Sequence, residues 1–398
     1  MNPPWKEWIP GVLNKPQMTQ LCDEAFIVGD GPVEVADHSS IDLSLSNEAF
    51  RMINGSVKPQ GKLDYGRFIT HEKLAEPFDV ATGGTLLKAK ETYVFKLRER
   101  IRTQLSEGPF HGQATAKSSI GRVDVLARLI VDGMDSYEEF TPEGLQRGSG
   151  EMYLEVTPIT FNVRIKPGIS LTQLRLFYGN PAHVQFKGTE LFNTLLHGSG
   201  QEDGSLSVDL STTMVGQLPV AAFCANLPSS TCEPIPLWKE EDAKKPDPCQ
   251  YWRFVETDST KRLKIEPENF YLLRSKEKIS VPPGIAIYCR ASDETIGEMR
   301  IHYAGFAHPF FGWHRPDSEE GTPLMFEVRG HQVPVTLGDG EKMANLLFYR
   351  MSEDCKADDQ GKKSDDSYQK QKLELSKFFK SWPSKLKRNS DGTVEAAS

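Results

Sequence analysis

The sequence predicts a mainly β fold built as two tandem barrels of short strands, with a few short helices. Three observations carry this. Thirty-two Gly and 26 Pro punctuate a chain whose apolar runs are short. Several segments alternate apolar and polar residues at the two-residue period of a half-buried strand. The second half repeats the first, segment by segment and in the same order.

The repeat can be followed along the chain. "SSIDLSLSNEAFRM" (39–52) and "SLSVDLSTTMVG" (205–216) both alternate, and placing one on the other brings Asp42 onto Asp209. "LLKAKETYVFKLRERI" (86–101) then pairs with "RLKIEPENFYLLRSKEKI" (262–279), and "AKSSIGRVDVLARLI" with "ASDETIGEMRIHYAG". Residues 152–178 match 324–349, with Glu155 on Glu327 and Gly168 on Gly340. Lys-Pro-Gly (166–168) and Gly-Asp-Gly (338–340) supply hairpin turns between strands rich in Val, Ile, Leu and Phe. The first barrel is expected over 11–190 and the second over 200–352, joined through the polar, Gly-rich "HGSGQEDGS" (197–205). The Pro- and charge-rich insert 226–250 reads as an exposed excursion. Residues 353–398 read as a flexible tether and a closing segment. Within them, 368–382 forms a short amphipathic helix or an ordered flap, and 385–398 is expected to be disordered.

Composition narrows the function. The formal net charge is −8, which argues against general nucleic-acid binding, since that needs a basic face. No run of 18 apolar residues predicts a membrane span. "MNPPWKEWIP" has no apolar core and does not read as a secretory signal. The six cysteines form no CxxC pair and read as reduced thiols of a cytoplasmic protein. No His-x-Glu is followed by Pro-Cys-x-x-Cys, the zinc signature of base deaminases. The histidines show no ligand spacing, so no protein-bound metal is expected.

Two runs carry candidate chemistry. In "AKSSIGR" (116–122), two hydroxyls and a guanidinium around a Gly suit the oxygens of a phosphate. The same letters also suit a Ser-capped helix with a solvated Arg. In "MYLEVTP" (152–158), Glu155 alternates away from Met152, Leu154 and Val156. It is either a solvent-facing strand residue or a carboxylate in a closed site, able to move protons. Asp132 and Asp135 follow a strand and read as turn formers.

Taken in order, Ser-Ile-Asp-Leu (40–43), Lys-Ser-Ser-Ile-Gly-Arg (117–122), Tyr-Leu-Glu (153–155), Pro-Gly and Gln173 resemble the dCTP deaminases of the dUTPase superfamily, above all their long two-repeat bacterial form. "HYAGF" (302–306) and the segment 368–379 strengthen the likeness. The resemblance implies a distorted, jelly-roll-like dUTPase barrel assembling as a homo-oligomer, possibly a trimer. It implies hydrolytic deamination at C4 of cytosine without zinc, Mg²⁺ accompanying the triphosphate. By the same resemblance Glu155 would be the catalytic residue. Lys117, Ser118, Ser119, Gly121, Arg122, Asp135, Tyr153 and Gln173 would contact dCTP, and Tyr368 and Gln371 would close over the phosphates.

The second copy, "ASDETIGE" (291–298), places Glu294 and Glu298 where the first has Ser and Arg chemistry. The second repeat is therefore expected to be degenerate, and Glu155→Gln to cost far more activity than Glu327→Gln. Two alternatives stay open: a dUTPase or bifunctional deaminase–diphosphatase, and a nucleotide-binding regulator without turnover. The absence of Gly from 368–382 departs from the dUTPase C-terminal pattern.

Overall fold

The computed structural model describes residues 4–36, 38–61, 64–197, 204–226, 232–291, 299–301, 305–313, 321–356 and 373–397. The first barrel contains β1 (Ser40–Met52), β2 (Tyr93–Ile101), β3 (Phe110–Ala116), β4 (Val125–Val131), β5 (Glu139–Phe140), β6 (Glu151–Pro158) and β7 (Ser170–Tyr178). They pair in the order β5-β3-β7-β1-β2-β6-β4. The second contains β8 (Ser205–Asp209), β9 (Ala222–Ala225), β10 (Trp252–Val255), β11 (Phe270–Ile279), β12 (Ile285–Ala291), β13 (Gly305–Ala307), β14 (Thr322–Gly330) and β15 (Lys342–Arg350). Its order is β10-β9-β11-β8-β15-β12-β13, with β14 beside β11. The predicted mainly β class, with barrel-like sheets and few short helices, is what is found.

Equivalent atoms make equivalent bonds in the two barrels. The Ser44 amide and hydroxyl donate to Glu99 at 2.7 and 2.5 Å; those of Ser207 donate to Glu277 at 2.7 and 2.6 Å. The Tyr93 hydroxyl accepts from the Lys88 amide, and the Tyr271 hydroxyl from the Glu266 amide. Gly168 and Gly340 turn their hairpins at φ 84° and 83°, a region that favours Gly. Glu155 lies opposite Val94 on β2, and Glu327 opposite Leu272 on β11, so the two glutamates are equivalent, as the sequence indicates.

The aspartates are not. The Gly168 amide donates to the Leu45 carbonyl, and the Gly340 amide to that of Val208. Leu45 therefore matches Val208, and Asp42 matches Ser205 rather than Asp209. The alternation hides the error, because a slip of four residues keeps every side chain on its own face.

Two further expectations are corrected. Part of the insert is not exposed: Ile235 and Leu237 are buried, and the strand Ile235–Pro236 pairs in parallel with Val163–Ile165 of the first barrel. Two apolar residues bind a segment whose average composition is polar. Residues 385–397 are ordered. Leu386–Arg388 and Val394–Ala396 form a hairpin, Leu386 and Val394 are buried, and Gly392 turns it at φ 85°. The turn is an Asp-Gly pair, a signal that outweighs the polar composition around it. Ahead of it, 373–382 carries no helix. It lies as an ordered flap with a turn at 377–378 and with Leu373, Phe378 and Phe379 buried.

The barrels share an apolar interface. Phe177 and its counterpart Tyr349 meet edge-on with centroids 5.1 Å apart, so a pseudo-rotation axis passes between them. Fully buried Arg175 crosses from the first barrel, donating to the Ile287 carbonyl at 2.9 Å and lying 3.9 Å over the Phe306 ring. Burial lowers its pKa to about 9.

Candidate active site between the repeats

The run 116–122 closes β3 and opens a four-residue helix, Ser118–Gly121. Lys117 occupies the cap position and makes no side-chain cap bond, so neither hydroxyl serves as the N-cap. Ile120 anchors the turn in the core. Ser119 and Arg122 are buried, and Ser118 is exposed. Lys117 forms an ion pair with Asp42 on β1. Gln173 lies opposite Asp42 on one side and Thr115 on the other, because β7 runs between β1 and β3. Lys117, Ser118, Ser119, Gly121, Arg122 and Gln173 thus belong to one corner of the first barrel.

Arg122 is the unusual member. It is 5% exposed, its Nη1 reaches the Leu375 carbonyl at 3.4 Å, and its Nε has no hydrogen-bond partner among the described residues. A buried guanidinium with unused donors is costly unless a ligand completes it. The C-terminal flap covers this corner: the Ser376 hydroxyl donates to the Ser119 carbonyl at 2.7 Å.

Glu155 lies elsewhere. It is 1% exposed and faces away from the barrel core, as the alternation predicts. Arg128 on β4 donates to one carboxylate oxygen through Nη2 and through Nε at 3.1 Å; the Tyr137 hydroxyl donates to the other at 3.1 Å. The Arg128 guanidinium stacks 4.2 Å from the Tyr137 ring. Tyr153 shares this outer face and donates to Asp64 at 3.0 Å, beside the helix Tyr65–His71. Asp135 is exposed. Asp132 is a turn residue, accepting from Tyr65 and Ser149. A cavity of about 450 Å³ opens under the helix Tyr65–His71, lined by Gly61, Phe68, Leu74 and Met134 among others. Tyr368, Gln371 and the acidic run 292–298 lie outside the described residues.

The buried carboxylate on whose charge Arg122 acts belongs to the second barrel. Glu327 and Arg329 project from the same face of β14. Arg329 forms a buried ion pair with Asp124, two residues beyond Arg122, and its Nη2 donates to the Thr160 hydroxyl at 2.5 Å. That contact lays β14 against the 122–124 loop. Burial pushes the Glu327 carboxyl up to about 8; Arg122 pulls it down, and Asp124 adds to the rise. A buried carboxylate under the influence of a buried guanidinium has the chemistry to carry protons near a held anion. Reading each site within one repeat did not place Glu327 near the Arg122 loop. The visible signal was Arg329, a cation where the first repeat has Thr157.

A model of the N-terminal domain of 2′-deoxycytidine 5′-triphosphate deaminases matches residues 9–180, and a model of their C-terminal domain matches 192–379. The chain belongs to the 2′-deoxycytidine 5′-triphosphate deaminase family. This deaminase fold superposes on the crystal structure of 2′-deoxycytidine 5′-triphosphate deaminase from Agrobacterium tumefaciens with a TM-score of 0.74 at 25% identity, covering 87% of this chain and 100% of that one. No curated protein matches the chain. The family is one of enzymes, and the two matched models divide this deaminase where its two sheets divide. Among the described residues, no helix of this family member is long and apolar enough to cross a membrane.

Proposed function

We propose that the chain hydrolyses dCTP to dUTP and ammonia at one composite site, with the nucleotide held by the first repeat and the protons moved by Glu327 of the second. The observation that carries this reading is the buried Arg329–Asp124 ion pair, which lays the strand of buried Glu327 against the loop of buried Arg122 across the repeats. Ser118, Ser119 and Arg122, with Lys117 behind them, hold the triphosphate; Gln173 flanks them. Tyr368 and Gln371 keep the nucleotide contacts that the family likeness implies, whereas Asp135, next to Gly61 at the cavity under the helix Tyr65–His71, stays with the Tyr153 face. Glu155 and Tyr153 share the family's sequence pattern. Saturation of Glu155 by Arg128 and Tyr137 supports a structural role for it here.

The chemistry follows from one carboxylate used repeatedly. Deprotonated Glu327 takes a proton from water as its oxygen bonds to C4, and passes that proton to N3. It then takes the hydroxyl proton and gives it to N4. The C4–N4 bond breaks, ammonia leaves, and C4 becomes a carbonyl. The buried setting, with the flap over Ser119, keeps bulk water out. The donor set is cationic and hydroxylic, which suits an anion rather than a protein-held metal. When bound with the nucleotide, Mg²⁺ neutralises part of the triphosphate charge. The reading is zinc-independent, in line with the missing zinc signature.

The test is product identification after incubation with dCTP and Mg²⁺. Equimolar dUTP and ammonia are expected. Formation of dUMP and pyrophosphate would replace this reading with the diphosphatase one, and dCTP binding without turnover with the regulator.

A further inference from the structure

We infer that the buried Asp124–Thr160–Arg329 triangle is a positioning device that joins the two repeats at one of two pseudo-equivalent places and so sets Glu327 against Arg122. The inference rests on the composite-site reading above.

The triangle is closed. Arg329 Nη2 donates to the Asp124 carboxylate and to Thr160 Oγ1, and Thr160 Oγ1 donates to Asp124 Oδ2 at 2.5 Å. Arg329 Nη1 donates to the Glu268 carbonyl at 2.7 Å, fixing the guanidinium to its own barrel. Asp124 is fixed to the other barrel. It sits at φ 55°, its amide donates to the Gly121 carbonyl and its carbonyl accepts from Ile159. Asp124 is fully buried and Arg329 is 7% exposed.

Its place matters more than its strength. Asp124 is two residues beyond Arg122, and Arg329 is two residues beyond Glu327 on the same face of β14. A shift of either end therefore moves either the triphosphate-holding Arg122 or the proton-carrying Glu327. The reciprocal position lacks the device: the counterpart of Arg329 is Thr157, whose hydroxyl is bonded to Thr92 at 2.9 Å. Asp124 Oδ1 and Arg329 Nε also remain without partners among the described residues. A buried pair with orphaned atoms is a poor stabiliser compared with an apolar contact. It does discriminate between two nearly equivalent ways of packing the repeats.

The test uses the full chain and three variants: Arg329→Met, Thr160→Val, and the double variant Asp124→Asn/Arg329→Met. For variants that keep the native melting cooperativity, kcat for dCTP should fall by about tenfold or more while KM moves by less than about threefold. The charged and titratable groups that act on Glu327 are Arg122, Asp124 and Cys289. In Thr160→Val, where both charges remain, losing the alignment weakens the pull of Arg122, so the acid limb of the kcat/KM profile should move to higher pH; in the double variant the loss of the Asp124 charge opposes that shift. A purely structural contact would lower stability without moving this limb. Thr160→Val removes one leg while keeping both charges, so it should show the same pattern at smaller amplitude. Unchanged kcat and an unmoved limb in a folded variant overturn the inference. Failure of the underlying reading looks different: Glu327→Gln would then remain active in the otherwise native chain.

Discussion

Glu327 and Glu155 have the same place in their repeats and opposite surroundings. Burial drives the Glu327 carboxyl up to about 8 against the pull of Arg122 and a backbone hydrogen bond, whereas Glu155 accepts from Arg128 and Tyr137. A base must be deprotonated to take a proton from water, so kcat/KM should rise with pH through about 8. Glu327→Gln should abolish turnover while retaining dCTP binding. Linkage gives a second readout. Between the ordinary value of 4.5 and about 8, the unfolded chain has lost a proton that the folded chain keeps. Stability therefore falls as pH rises across that window, and the cost is complete above it. Glu327→Gln removes the cost, so urea unfolding should show a gain at pH 9 that is absent at pH 4. Glu155→Gln should retain turnover and lose about 1–2 kcal/mol of stability, since Arg128 is partly solvated. Steady-state kinetics on both variants decides: equal loss of activity would return the catalytic role to the first repeat. The residue types at this site were legible, for "KSSIGR" and both glutamates stand out in the sequence. Which glutamate meets Arg122 was not, because that depends on the docking of two barrels and not on spacing within one.

At the scale of elements, strand alternation and turn residues were enough to place β1, β2, β6, β7 and their copies. Alternation fixes the face of a residue but not its register, hence the slip of Asp42 onto Asp209. Composition failed where a few apolar residues are held by distant partners, as with Ile235, Leu237 and the 386–396 hairpin. The flap is the element where this matters for function. Phe379 packs against Tyr251 and Trp252, and Trp382 against Phe223 and Phe254. These aromatics tie the flap to the second barrel, while Leu375 and Ser376 reach the first. Phe379→Ala should therefore cost about 3–5 kcal/mol in denaturant unfolding. Ser376→Ala removes only the bond to Ser119. It should leave that stability within about 1 kcal/mol and raise KM for dCTP severalfold. If Ser376→Ala leaves KM unchanged, the flap covers the anion corner without helping to hold the nucleotide.

For the whole molecule, duplication supplied two anion runs and two carboxylates, enough for two composite sites. The first repeat keeps the Ser-Ser-x-x-Arg run, and its glutamate is tied to Arg128. The second keeps a buried glutamate, Glu327, on which the Arg122 charge acts, and its own run has gained acids. Each repeat has thus kept the half that the other lost, leaving one complete set per chain. On the composite-site proposal Arg122 and Glu327 act in cis, with consequences for mixed assemblies. Arg122→Met and Glu327→Gln chains, each inactive, can be co-expressed under two different tags and purified for both. A cis site predicts no recovery of dCTP turnover, because every chain carries one broken half. Recovery towards a quarter to a half of the native rate per chain would mean that Arg122 of one chain meets Glu327 of another. In that case the interface between repeats described here would be reproduced between chains, and activity should also fall on dilution as the assembly dissociates.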